Sequence, residues 1–173
     1  MPELAEAQAE LTPVYYDWSL QFEHEATRKG LAYWNERCGA DQVPAFQDIR
    51  PRGMKDFIAH VSLIESHIGA DGSSEYSVRL TGERVRERYG AVARRKLKDF
   101  LPADMERRWR HALGLVSAAQ SPLRVHGRMS YADSVWLYQE TLLAPLRDAA
   151  SQLTMFMLVT AWWPTTSSGG DSA

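Results

Sequence analysis

The stretch EYSVRLTGERVRERYG, residues 75–90, contains the change of hydrophobic period around which the rest of the chain is arranged. Apolar Tyr76, Val78 and Leu80 alternate with polar residues, which predicts a half-buried strand. In the charged run that follows, the apolar residues recur at helical spacing, and Gly90 stands where a helix C-cap takes a left-handed conformation. A strand that leads directly into a short basic helix is therefore predicted.

The length and composition indicate one domain without a membrane segment. A chain of 173 residues, 45% of them hydrophobic, can bury one sizeable core, so we expect a single domain with extensions. The net charge of -2 gives no overall attraction to nucleic acid or to membranes. Cys38 is the single cysteine, which favours a reducing compartment. Since the sequence shows no apolar signal core and no transmembrane run, a cytoplasmic protein is expected.

Residues 1–38 are predicted to form an N-terminal helical extension. Tyr15, Trp18 and Phe22 fall at helical spacing, and the apolar stripe continues to Trp34. Aromatic side chains on a terminal segment need a surface to cover. The extension is therefore expected to pack on the domain that follows it.

The segment 39–163 is predicted to be one folded domain, and the small polar residues of 164–173 predict a disordered tail. Alternating apolar residues indicate the strands, and an apolar stripe along 102–119 indicates the longest helix. The predicted elements are strands at 60–68 and 75–82, a short helix at 83–89, the longer helix at 102–119, and strands at 123–130, 134–145 and 153–163.

The last predicted strand is apolar on both faces, as expected of a strand that is covered twice. We expect the helical extension to cover the outer face of the sheet, and a two-fold pairing of the same surfaces to make the protein a homodimer. The predicted outer face carries Phe156, Leu158 and Trp162, with Trp136 and Tyr138 from the preceding strand, and the opposite face carries Met155, Met157 and Val159.

Several short motifs lie in a defined order along the chain. They are Tyr33-Trp34, Arg79-Leu80-Thr81-Gly82, Tyr89-Gly90, the stretch LKDFLP at 97–102, and Ala144-Pro145-Leu146. Together with the order of the elements, these motifs resemble the stand-alone PAS-like proteins of proteobacteria over residues 26–163. The resemblance implies an α+β fold, with a five-stranded antiparallel sheet and with short helices and one longer helix across one face.

The resemblance also implies a class of function, which is a sensory or protein-interaction module. Such domains bind a small ligand or cofactor between the sheet and its helices, and they often dimerise through an N-terminal helix. Output would pass through a partner signalling protein, and no enzymatic activity is expected. A small enzyme or carrier on a cone-shaped α+β fold is the alternative, but that fold places its helices before nearly all of its strands. The sequence names no cofactor.

A ligand site is predicted from the apolar positions that a PAS-like fold would turn inward. Those positions either surround a cavity or close into a solid core. They are Leu63, Val78, Leu80, Tyr89, Leu97, Trp109, Leu113, Val125 and Met157.

Arginines supply the candidate polar contacts. Arg79 alternates with its apolar neighbours, so its fork either bonds loop carbonyls and an acid or captures an anionic ligand. The cation-rich segment that follows is either a solvated helix surface or a face for an acidic partner or a nucleotide. The residues proposed for that face are Arg84, Arg88, Arg94 and Arg95.

His111 and Cys38 are of the residue types that bind haem or form a flavin adduct in proteins of this fold. His111 lies about 140° from the apolar stripe of its helix at ~100° per residue, so it is predicted to face solvent and not to bind haem. Cys38 lies in the helical extension, far from where a flavin-adduct cysteine would sit, and is predicted to be a half-buried structural residue. The histidines show no metal-ligand spacing, so no metal site is expected.

Overall fold

The computed structural model describes residues 12–40, 43–130 and 136–165. In these parts of the chain, six strands form one antiparallel sheet, and three α-helices and four short 3-10 helices accompany it. The strands are β1 (Val14–Asp17), β2 (Val61–Ile68), β3 (Ser74–Thr81), β4 (Leu123–Ser130), β5 (Trp136–Leu146) and β6 (Met155–Pro164). The α-helices are α1 (Glu25–Arg37), α2 (Glu83–Tyr89) and α3 (Ala103–Ala119), and the 3-10 helices are Phe46–Asp48, Pro51–Met54, Ile58–His60 and Leu97–Asp99.

The strand order in the sheet is β1-β4-β5-β6-β2-β3, and every neighbouring pair is antiparallel. The long helix α3 lies between β3 and β4 in the chain, as the predicted α+β order requires. The cone-shaped alternative, with its helices ahead of the strands, does not have this topology.

Both faces of the sheet are covered, so the protein has two apolar clusters. On the outer face, α1 buries Ala26, Tyr33 and Trp34 against β5, β6 and β2. On the inner face, α3 buries Leu113 and Val116 against β4, β5 and β6, with the segment 90–101 beside it. The outer cluster includes Val61, Leu63, Leu142, Ala144, Leu146, Met155, Met157 and Val159, and the inner cluster includes Ile64, Tyr76, Val78, Leu123, Val125, Leu143, Phe156 and Leu158.

Two of the sequence motifs meet where α1 packs on the sheet. The indole Nε1 of Trp34 donates to the carbonyl oxygen of Pro145 at 2.9 Å, and both Trp34 and Tyr33 are buried. The Tyr33 hydroxyl accepts the backbone N–H of Arg50 at 2.8 Å. The Tyr33-Trp34 pair therefore fixes α1 to β5 and to the loop before β2.

The predicted helix around Tyr15 is wrong, because this segment is strand β1. Val14 and Tyr16 pack on the inner cluster, whereas Tyr15 pairs with His126 on the outer face, so the side chains alternate. Leu20 has a φ of 57°, which no right-handed helix through this segment could contain. Adjacent tyrosines favour a strand, and four residues are too few to show its period. The sheet therefore has six strands, one more than predicted.

The predicted outer and inner faces of the last strand are also exchanged. Met155, Met157 and Val159 pack under α1, and Phe156 and Leu158 face the inner cluster. Both sets are apolar, so the sequence pattern shows that the strand is covered twice but not which helix covers which side. The pairing of β6 with β2 determines the face on which each set of side chains lies, because each β6 residue shares a face with its partner in β2.

A β-bulge at Arg79 changes the alternation within β3. Leu63 pairs with Leu80, but the next residue of β2, Ile64, pairs with Val78, so Arg79 is an extra residue in β3. An extra residue shifts the following side chains to the other face. Leu80 therefore lies on the outer face and is 40% exposed, although Val78 is buried on the inner face.

Gly82, which ends the Arg79-Leu80-Thr81-Gly82 motif, lies against the backbone of the 3-10 helix Ile58–His60. A Cβ atom at this position would be 2.2 Å from the carbonyl oxygen of Ile58. The N–H of Gly82 also donates to the carbonyl of Val61 at 2.7 Å. The motif needs glycine here because two backbone segments approach closely, and this contact positions the start of α2.

Both ends of the chain extend beyond the residues that the structure describes. β6 continues to Pro164, and residues 166–173 of the predicted tail, like residues 1–11 of the extension, lie outside the described residues. No described helix has the length and apolar character needed to cross a bilayer.

Candidate functional site: an apolar cavity and a polar groove on either side of α2

An apolar cavity lies between the inner face of the sheet and the helices. Its free volume is about 60 Å³. Val85 and Tyr89 of α2 form one wall, and Trp109 and Leu113 of α3 form another. Its remaining walls are Ser62, Ile64, Val78, Thr81, Val92, Leu97, Phe100, Leu101, Gln139, Leu158, Thr160 and Trp162.

The polar groups at one end of this cavity are already paired with each other. The indole N–H of Trp162 donates to Gln139 Oε1 at 2.8 Å, and the Thr141 hydroxyl donates to that of Thr160 at 3.0 Å. A molecule entering the cavity would therefore gain mainly apolar contacts.

Five of the nine predicted lining residues stand around the cavity, namely Val78, Tyr89, Leu97, Trp109 and Leu113. The other four predictions need correction. Leu63 and Met157 lie in the outer cluster, Leu80 is moved to the outer face by the bulge at Arg79, and Val125 is packed within the inner cluster away from the cavity wall.

The size of the cavity limits what it can hold. Pockets for drug-sized ligands enclose ~300–1,000 Å³. The free volume of about 60 Å³ is well below this range, although it exceeds the ~10–15 Å³ that a single water molecule needs. A drug-sized ligand does not fit unless a wall moves.

The predicted arginines fall into three different places. Arg79 forms an ion pair with Glu65 at 3.2 Å and lies over the ring of Phe46 at 4.8 Å, so an acid and an aromatic ring already contact its guanidinium. Arg95 donates to the carbonyl of Asp99 at 2.8 Å, and Arg94 lies on the segment that runs along β3. Arg84 and Arg88 are brought together in a groove beside α2.

This groove, which we call the histidine groove, has a volume of about 460 Å³ and is open to solvent. His24 precedes α1, His60 ends a 3-10 helix, and their ring centroids lie 5.4 Å apart. The other walls are Arg84, Glu87, Arg88 and Trp162. Trp162 lines both the groove and the apolar cavity, so α2 and this indole separate the two spaces.

Sequence reasoning missed the histidine groove because its residues are distant in the chain. The Glu23-His24-Glu25 run lacks metalloprotease spacing, and His60 stands alone between a loop and a strand. The only available signal was that Arg84 and Arg88 are four residues apart on one helix and therefore project to the same side.

A row of rings continues from the groove across the outer face of the sheet, beyond the end of α1. Trp163 stacks on His24 with ring centroids 5.7 Å apart, and Tyr138 follows at 5.0 Å from Trp163. His126 and Tyr15 extend the row to the edge strand β1. This row gives the uncovered part of the outer face a mixed aromatic and imidazole surface.

The two histidines of this row, His24 and His126, both have a pKa below the ordinary histidine value. Burial lowers the pKa of His24, and the neighbouring His60 lowers it further. Burial also lowers the pKa of His126, with the Arg124 guanidinium adding to the effect. Both rings therefore favour the uncharged form.

The positions of His111 and Cys38 match their predictions. His111 lies on the exposed side of α3, and its ring contacts that of Tyr16 at 5.4 Å between centroids. Cys38 is half-buried at the end of α1, where its thiol donates to the carbonyl of Trp34 at 3.4 Å. Among the residues that the structure describes, no group of three or more potential metal ligands comes together.

The sequence matches the family model described as PAS domain over residues 22–159, and the chain belongs to this family. It is also similar to a solved structure titled as an RNA-binding light-oxygen-voltage receptor, with 13% sequence identity and a TM-score of 0.45. That alignment covers 87% of this chain but 38% of the receptor. None of the curated proteins gives a significant match.

Membership of the family defines the general class of function. The chain is a sensory or interaction module of the PAS type. The inner cavity lies under α2 and α3, and its use as a ligand site remains a prediction.

Proposed function

We propose that this PAS domain responds to a small apolar molecule that enters the cavity under α2, and that it signals to a partner protein by moving this helix. The observation that carries the proposal is the weak attachment of α2. Of its seven residues, Val85 is the one that is buried, yet the helix forms a wall of the cavity. We place this function in the cytoplasm and in a homodimer, with no catalytic step of its own.

Displacing the C-terminal part of α2 is energetically feasible because, beyond the start of the helix that Gly82 fixes, one buried side chain holds it. Burying one valine side chain contributes about 1.5–3 kcal/mol. The ring of Tyr89 adds edge contacts to Phe100 and Trp162, at centroid distances of 6.4 and 6.2 Å. A ligand that fills the cavity only when α2 has moved would shift the equilibrium by its differential affinity for the two positions.

Moving α2 would change a charged surface that a partner can recognise. Arg84 and Arg88 lie on its groove side, whereas Val85 and Tyr89 lie on its cavity side. A shift of the helix therefore moves the guanidinium groups together with the cavity wall. An acidic partner surface would respond to that change through charge pairing, and the association would weaken with added salt.

The test is uptake of an apolar probe by the full chain, combined with native mass spectrometry of protein purified without denaturation. We expect indole, used as the probe, to shift the NMR amide signals of α2 and of the cavity strands. Val78→Phe fills the cavity from a strand and should abolish these shifts. Leu80→Phe on the same strand is the matched control, because its side chain lies on the outer face.

The proposal is overturned by two results. One is the absence of both a retained molecule and indole-induced shifts. The other is an equal response of the wild type and the Val78→Phe variant, which would show that indole binds elsewhere.

A further inference from the structure

We propose that the histidine groove is a second binding site, and that it takes a small aromatic carboxylate bearing a ring N–H or hydroxyl group. The groove lies outside the cavity under the helices, and its ligand need not displace α2. Its volume of about 460 Å³ falls within the ~300–1,000 Å³ typical of small-molecule sites.

The charge of the groove fits an anion with a single negative charge. Its walls hold two guanidinium groups, Arg84 and Arg88, and one carboxylate, Glu87, so one positive charge remains while the histidines are neutral. Arg84 reaches Glu87 at 3.4 Å, and its side chain is 62% exposed, which leaves its fork accessible to a ligand. A carboxylate matches this net charge, whereas a doubly charged phosphate exceeds it and meets about twice the repulsion from Glu87.

An aromatic ring has a place to pack in the same groove. The indole of Trp162 forms a wall, and the guanidinium carbon of Arg88 lies 5.8 Å from its centroid. A planar ligand ring against Trp162 would bring its carboxylate to the arginines of α2. Arg88 also donates to Met129 Sδ at 3.5 Å, so the ligand ring would share the indole surface with this guanidinium.

The hydrogen bonds of the two histidines define complementary partners for the ligand. His24 Nδ1 accepts the backbone N–H of Ala26 at 3.0 Å, so the neutral ring carries its proton on Nε2, which is a donor. His60 Nδ1 lies 2.9 Å from the carbonyl oxygen of Thr160, which can only accept, so Nδ1 is protonated, and in the neutral form of this ring Nε2 is an acceptor. The groove thus offers one imidazole donor for a carboxylate oxygen and one imidazole acceptor for a ligand N–H or hydroxyl.

The probe that tests these assignments is indole-3-acetate, which carries a carboxylate and a ring N–H. We expect saturable binding to the full chain by calorimetry, with NMR shifts centred on the groove residues. Its N-methyl derivative lacks the ring N–H donor, and indole-3-acetamide lacks the negative charge of the carboxylate. Each should bind roughly tenfold more weakly, because a charge-assisted or buried hydrogen bond is lost.

Matched variants separate the groove from the rest of the surface. Arg84→Gln should weaken indole-3-acetate roughly tenfold, whereas Arg86→Gln, an exposed position on the same helix outside the groove, should leave its affinity unchanged. His60→Asn keeps a donor near the Thr160 carbonyl but removes Nε2, so it should abolish the preference over the N-methyl derivative. His24→Asn keeps a helix N-cap acceptor for the N–H of Ala26 but removes Nε2, whose reach the shorter amide does not have, so it should also weaken the binding of indole-3-acetate.

Three results would overturn the proposal. They are the absence of saturable binding at millimolar concentration, equal losses for Arg84→Gln and Arg86→Gln, and equal affinity for the acid and the amide. Because Val78→Phe fills the cavity and leaves the groove intact, indole-3-acetate binding in that variant distinguishes this site from the one under the helices.

Discussion

The guanidinium Nη2 of Arg124 lies 2.7 Å from Oε2 of Glu140, and this ion pair is buried under the start of α1. The carboxylate has further partners. Its Oε1 accepts the Thr27 hydroxyl at 2.7 Å and the backbone N–H of His24 at 3.0 Å, and its Oε2 accepts the N–H of Glu23 at 2.9 Å. Burial alone would raise the pKa of Glu140, but these hydrogen bonds hold it below its usual value. The pair therefore joins β4 and β5 to the first turn of the helix.

Removing one member of this pair should be far more destabilising than replacing both. Glu140→Ala leaves the buried Arg124 with the more exposed Asp17 and Glu23 as its remaining acidic partners. It also takes the acceptor from the Thr27 hydroxyl and from the two backbone N–H groups, so we expect the free energy of unfolding to fall by about 3–5 kcal/mol. The double variant Arg124→Met with Glu140→Leu removes both charges and should recover the part of that loss that comes from the unpaired guanidinium, but not the part that comes from the unpaired donors of α1. Denaturant unfolding of the single and double variants measures the difference. A double variant less stable than Glu140→Ala would contradict this account.

Two helical glycines should respond in opposite directions to replacement by alanine. A Cβ at Gly30 in α1 would lie 2.7 Å from Val159 Cγ2 and 3.2 Å from Leu142 Cδ2, whereas a Cβ at Gly114 in α3 would meet no atom within 4 Å. Overpacking costs about 1–3 kcal/mol and exceeds the ~1 kcal/mol gain in helix propensity. We expect Gly30→Ala to destabilise and Gly114→Ala to stabilise by ~0.5–1 kcal/mol. Thermal unfolding of the two variants measures these changes in stability. Equal stabilisation by Gly30→Ala and Gly114→Ala would contradict the close approach of α1 to β6.

Acid should destabilise the protein before its carboxylates titrate. The pKa values of His24 and His126 lie below the ordinary histidine value in the folded state, because of burial in both cases. The unfolded chain then binds more protons, so stability falls as the pH decreases below about 6.5. Urea midpoints at ~pH 7.5 and ~pH 5.5 should show the loss. His24→Asn, which keeps the helix cap, should reduce it, and an unchanged loss would rule out His24 as a source.

The sequence was sufficient for the elements that show a clear period. β2, β3, α2, α3 and the last three strands follow from alternation or from an apolar stripe, because each is long enough to display it. The strand β1 has four residues, and the spacing of its aromatics also fits a helix. Its identity depends on pairing with β4, which no local pattern contains.

The candidate site was less predictable, because it depends on register and on distant contacts. A single extra residue, Arg79, places Leu80 on the outer face, and the pairing of β6 with β2 does the same for Met157. The histidine groove joins His24 to His60 across 36 positions of the sequence, so no motif could reveal it. What the sequence did contain was the amphipathic character of α2, with Val85 and Tyr89 on one side and its arginines on the other.

The helical extension should be needed to keep the domain soluble. Deleting residues 1–38 removes β1 from the edge of the sheet and α1 from its outer face, and it exposes the outer cluster, including Val61, Leu142 and Met157. Soluble monomers rarely expose apolar patches larger than a few hundred Å², so we expect the truncated protein to aggregate. The deletion also removes Thr27 and both residues whose backbone N–H groups donate to Glu140, Glu23 and His24. A truncated form that stays soluble and folded would contradict the covering role of α1.

We expect the full chain to be a homodimer that uses the part of the outer face beyond α1. Tyr15 is 55% exposed and Trp18 is 46% exposed, and Tyr15 begins the row of rings that continues through His126 to Trp163. A two-fold pairing would bury the same aromatic surface from each chain, and β1 is an edge strand of the sheet beside it. Replacing Tyr15 and Trp18 together by serine should therefore shift sedimentation toward the monomer. Ile68→Ser, at a 73% exposed position on β2, is the control and should leave the dimer intact. A full-length protein that sediments as a monomer at high micromolar concentration would show that this aromatic surface is not a dimer interface.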